Sequence, residues 1–122
     1  MNTGRYVDRM DAERYKHDEP VSAGLLARKP KYDGWVSIPE RLFVRMKYLA
    51  DAYELHVLPG LETHGDNVLN RERAETLIEE LEYLGTVVND PLLLPHIAAL
   101  RDAALECTRS PFPGSQLGVE GP

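Results

Sequence analysis

From residue 70 to residue 107 the apolar side chains recur at steps of three and four, a spacing that calls for two amphipathic helices. Ala74, Leu77, Ile78, Leu81, Leu84 and Val88 form the first stripe, and Leu93, Ile97, Leu100, Ala104 and Cys107 form the second. Asn70 precedes the first stripe and suits an N-cap, because its side-chain oxygen can accept from backbone N–H groups that the first turn leaves unpaired. Asn89, Asp90 and Pro91 break the pattern between the stripes. Pro95 would clash inside a helix, so the reading is a tight turn over 91–94 and a regular helix starting near Leu94 or Pro95. Two such helices lie antiparallel and bury their stripes together.

A third helix is predicted over about 39–53. Ser37 and Glu40 stand at capping-box spacing around Pro39. Leu42, Phe43, Met46, Leu49, Ala50 and Tyr53 fall on one face, while Arg41, Arg45 and Lys47 give the first half a basic outer surface. The other segments are weaker. Residues 2–16 suggest a short helix, and the stretch over 16–34 reads as a loop around Leu25 and Leu26. Residues 34–38 suggest an extended piece anchored on the core by Trp35. Residues 54–58 read as a strand closed by Pro59 and Gly60, and residues 60–67 as a loop. The Pro- and Gly-rich end adds at most an edge strand over 116–120.

The expected fold is therefore α+β and mainly helical, with three principal helices (about 39–53, 70–88 and 94–107) and one to three short strands. An all-α fold is the alternative. The expected organisation is a single domain over 1–122, with 1–31 as a loop-rich arm and 109–122 as a tail. A chain of 122 residues can bury a core without staples. No apolar run approaches the ~20 residues that span a membrane, and the charged first 16 residues lack a signal-peptide core. The single cysteine, Cys107, lies on an apolar helix face, which predicts a buried inert thiol and suits a cytoplasmic protein.

Catalytic constellations are scarce. His56, His64 and Asp66 offer two imidazoles and one carboxylate, a set able to hold a metal, yet at no motif spacing such as H-E-x-x-H. This supports a small metal-dependent enzyme only as an alternative. His17 and His96 read as surface residues. No nucleophile elbow, phosphate-cradling glycine loop or metal-ligand cysteine pair occurs, so the sequence calls for no cofactor and no catalytic residue.

Charge is more informative. The net charge is −6, and residues 61–90 hold two Lys/Arg against eight Asp/Glu. Residues 1–31 hold seven against five. Such a chain is ill suited to neutralising phosphates, so nucleic acid is not an expected partner. Glu72, Glu75, Glu79 and Glu82 follow one another by three, four and three along the 70–88 helix, and Glu80 is expected on the same solvated side. Like charges at this spacing repel by about 0.2–0.5 kcal/mol per pair. The stripe, with Asp66, is the candidate contact surface for a protein partner that is itself basic.

In size, acidity and lack of catalytic motifs the chain resembles the immunity proteins that block bacterial toxins, and small phage-encoded inhibitors. That resemblance of composition implies a non-enzymatic inhibitor that occludes a basic cleft. A dimeric structural or regulatory adaptor, joined through a helix face, is a further alternative.

Overall fold

The computed structural model describes residues 12–27, 34–112 and 114–122. Asn70 caps as its sequence position predicts: its Oδ1 accepts from the Arg73 N–H at 2.9 Å. A 3₁₀ turn over Ala12–Tyr15 leads to β1 (Pro20–Leu25), β2 (Val36–Pro39) and α1 (Glu40–Ala52). There follow α2 (Val57–Gly60), β3 (Asp66–Leu69), α3 (Arg71–Val87), α4 (Leu94–Arg109) and β4 (Leu117–Glu120). The fold is α+β and mainly helical, and its four strands form one antiparallel sheet in the order β2-β1-β4-β3. The expected helix over 2–16 falls largely on residues 1–11, outside the described residues; its end is the 3₁₀ turn.

One sheet face carries Val21, Ala23, Ile38, Leu69, Leu117 and Val119, all buried. Strand alternation turns all six toward the helices. Among the helices α4 lies closest to the sheet. Its buried positions include the small residues Ala103, Ala104 and Cys107, which permit a close approach. Helix α3 packs along α4 through Leu77, Ile78, Leu81 and Leu84. The turn between them is tied by Asp90, whose carbonyl accepts from the Leu93 and Leu94 N–H groups at 3.0 Å.

The segments expected as arm and tail instead supply the two central strands, β1 and β4. Both sequences argue against a strand, since β1 starts at Pro20 and holds Gly24, while β4 holds Gly118. Pro20 is tolerated at a strand's first position. Gly24 and Gly118 are direct cross-strand partners, and the Trp35 indole lies over them. A Cβ at Gly118 would sit 2.8 Å from Trp35 Cη2, and one at Gly24 would run into the same ring. The indole N–H donates to the Leu25 carbonyl at 3.1 Å. Trp35 therefore covers the sheet face turned away from the helices, not the helical core. Gly24→Ala should destabilise the fold by about 1–3 kcal/mol through overpacking, although alanine is ordinarily the better strand residue. Urea unfolding followed by Trp35 fluorescence reads both the loss and the displaced ring; an unchanged midpoint would contradict this placement.

Three more local readings change. Ser37 does not cap α1; it lies in β2 opposite Ser22. The start of α1 is satisfied from β1's side, where Asp18 Oδ2 accepts from the Arg41 N–H at 3.1 Å and the Glu19 carbonyl from the Glu40 N–H at 3.2 Å. Hydrogen bonds from the Arg41 guanidinium hold the Asp18 carboxyl below the ordinary carboxylate range. Residues 54–58 form no strand, because Glu54 takes a left-handed φ of 60° and the chain turns into α2. The loop over 60–67 ends in β3, with Asn67 bonding the Glu62 backbone in both directions at 2.9 Å and donating to the Val119 carbonyl at 2.9 Å.

Candidate protein-docking face

Helix α3 has two faces with opposite tasks. Its inner face holds the apolar stripe, and with it Glu80, which is only 6% exposed. Glu80 does not join the solvated glutamates. Its carboxylate accepts from the N–H groups of His56, Val57 and Leu58 at 2.9, 2.8 and 2.9 Å, and so caps the start of α2 from another helix. A carboxylate is the acceptor of choice there, because its two oxygens can serve three converging donors.

Glu72, Glu75, Glu79 and Glu82 are all exposed, and their spacing puts them along the outer side of α3. Tyr83 and Val87 share that side, four and eight residues beyond Glu79, and are 44% and 37% exposed. Tyr53, expected on the core face of α1, instead ends that helix and is itself 44% exposed. Its ring meets Tyr83 edge to face, with centroids 5.5 Å apart and planes at 80°. Periodicity could have flagged Tyr83, which falls off the apolar stripe and in line with Glu79. Tyr53 gave no such signal, because only the helix end takes it out of phase.

The electrostatics of this face follow from the sequence and the pairing of nearby cations. No lysine or arginine occurs over residues 48–70 or 74–100. Arg71, at the start of α3, is committed to the Ser110 carbonyl at 2.8 Å. The basic surface expected on α1 is engaged rather than free. Arg41 binds Asp18 at 2.6 Å and Arg45 binds Asp90 at 3.1 Å. Lys47 donates to Thr63 Oγ1 at 3.2 Å.

Asp66 stands apart from the four glutamates. It pairs in register with Glu120 and shares the sheet face turned away from the helices. Nor does the structure assemble His56, His64 and Asp66: His56 precedes α2, while His64 Nε2 lies 3.0 Å from Glu40 Oε1. Among the described residues no three His, Cys, Asp or Glu side chains are placed to hold a metal ion. His17 is exposed, whereas His96 is half-buried and burial pushes its pKa down. Cys107 is buried, its thiol directed at the Ser115 carbonyl at 3.5 Å, and burial pushes its pKa up. Low thiolate content and burial make it a poor nucleophile.

Two grooves flank α4. One of about 620 Å³ runs between Leu25, Leu105 and the turn bearing Pro111 and Phe112, with Arg109 at its rim. A smaller one of about 370 Å³ lies between α3 and α4 beside Glu82, Gly85 and Arg101. A Cβ at Gly85 would meet nothing within 4 Å. Gly85→Ala should therefore stabilise the fold by about 0.5–1 kcal/mol, the usual gain for removing an interior helix glycine. A lowered unfolding midpoint would show that the groove cannot accept even a methyl group.

Among the described residues no helix is long and apolar enough to cross a membrane. Comparison with protein-family models, curated proteins and solved structures finds no match to this chain.

Proposed function

We propose that the chain is a non-enzymatic binding protein that uses the outer face of α3 to occlude a basic surface on a partner protein, in the manner of an immunity-type inhibitor. The observation that carries this reading is the exposed row Glu72, Glu75, Glu79 and Glu82 on one side of α3, beside two half-exposed tyrosines. A helix gains nothing by stacking like charges at this spacing, and Glu79 and Glu82 lie too far along α3 to benefit from its positive end. Tyrosine, conversely, is the kind of residue that anchors interfaces. Carboxylates around such an anchor steer a cationic surface into encounter and disfavour acidic competitors. A toxin with a basic substrate-binding cleft fits this chemistry. The buried, unreactive Cys107 is compatible with action in the cytoplasm.

Affinity capture from the source cells, with the wild-type chain and Glu75→Lys/Glu79→Lys as parallel baits, tests the surface. A basic partner retained by the first bait and lost from the second is the expected result. The same partners recovered equally on both baits would show that this face is not the contact.

A further inference from the structure

We infer that the Tyr53–Tyr83 pair is the anchor point of this face and that it receives an arginine side chain of the partner. The inference rests on the docking-face reading and deepens it by naming the group recognised. The molecule itself shows how its tyrosines hold guanidinium groups. The Arg41 guanidinium carbon lies 4.8 Å from the centre of the Tyr15 ring, and that of Arg45 lies 5.6 Å from the same ring. Both distances are in the range where a cation is attracted to the negative ring face.

Tyr53 and Tyr83 offer the same surface without the cation. Their edge-to-face contact takes the edge of one ring and one face of the other, and both residues remain 44% exposed. Among the described residues no guanidinium or ammonium lies over either ring. Along the chain residues 48–70 and 74–100 contain no Lys or Arg, and Arg101, in the groove beside Glu82, is paired with Asp102 at 3.2 Å. The sequence supplies carboxylates instead. Glu79 lies one helical turn before Tyr83, close enough on the surface for its carboxylate to meet a group stacked on that ring. Glu54 follows Tyr53 directly and is exposed.

A flat cation with a fork of N–H donors matches this arrangement. Its plane can lie on a tyrosine face while its edge donates to Glu79, a pairing that the planar, weakly hydrated fork makes at a lower desolvation cost than a compact, strongly hydrated lysine ammonium. Arginine rather than lysine is therefore the partner's contact residue.

Hexa-arginine and hexa-lysine peptides, equal in charge, serve as probes, with binding measured by calorimetry at one fixed low ionic strength. The wild-type chain should bind hexa-arginine about two- to fivefold more tightly than hexa-lysine, at most the scale of one exposed cation–π contact. Tyr83→Leu and Tyr53→Leu should keep the helical circular-dichroism spectrum and bind both peptides, with the preference lost. Equal affinities in the wild type, or a preference that survives both substitutions, would overturn the arginine anchor while leaving the acidic docking face in place. If neither peptide binds, or if Glu75→Lys/Glu79→Lys binds both as well as the wild type does, the anchor and the docking face fall together.

Discussion

Glu80→Ala is expected to destabilise the protein by about 3–5 kcal/mol, a large part of the stability a domain of this size possesses. The loss comes from what remains behind. Three backbone N–H groups, those of His56, Val57 and Leu58, converge on one carboxylate that is only 6% exposed. Without it, buried donors lose their acceptor, and each orphaned group costs about 1–3 kcal/mol. Part of this is recovered by water reaching His56, whose side chain is exposed. Glu80→Gln should be milder, since the amide keeps one accepting oxygen but turns an NH₂ group toward donors. Equilibrium urea unfolding gives both values. A loss below about 1 kcal/mol for Glu80→Ala would mean that α2 does not depend on this cap. The consequence also reaches the proposed contact surface, because the backbone that Glu80 holds begins three residues after Tyr53.

Leu81→Ala should cost about 2–3.5 kcal/mol, in the lower part of the range for buried leucines. Leu81 is fully buried, on the α3 face opposite the glutamates. It also borders the groove of about 370 Å³ shared with Leu94 and Ile97, so side chains there can move into part of the vacated space. Collapse of this kind lowers the cavity contribution but leaves the lost transfer free energy of the removed methyl groups. Glu79→Lys, two residues away and exposed, should change stability by no more than about 0.5 kcal/mol. Comparing the two by thermal and urea unfolding separates the supporting face of α3 from its contact face. Similar losses from both would contradict that separation.

The helices were legible because amphipathic periodicity survives in a single sequence. Asn70, the paired stripes and the turn at Asp90 all lie where local chemistry puts them. The sheet was hard to read for an equally physical reason. Strands β2, β3 and β4 are four residues long, and β1 and β4 each carry a glycine whose place is explained by Trp35 packing over both, joined at Gly118 by Leu26. That contact joins residues 24, 35 and 118, so no local window contains it. Glu80 was misplaced by the same limit. Its neighbours Glu79 and Glu82 are solvated, and nothing in residues 70–88 announces three N–H donors arriving from residues 56–58. Of the proposed contact surface, the four glutamates were readable from spacing. The Tyr53–Tyr83 contact was not, and Asp66 proved to belong to another surface.

The central claim is that the outer face of α3 is an electrostatically steered docking surface, and association kinetics with the captured partner test it most directly. Stopped-flow rates across a series of salt concentrations should fall steeply for the wild type, because screening weakens long-range attraction. Glu75→Lys/Glu79→Lys, with its unfolding midpoint unchanged, should associate more slowly by about tenfold or more at low salt and show a much flatter salt dependence. Equal rates and equal salt slopes for the two proteins would contradict the account.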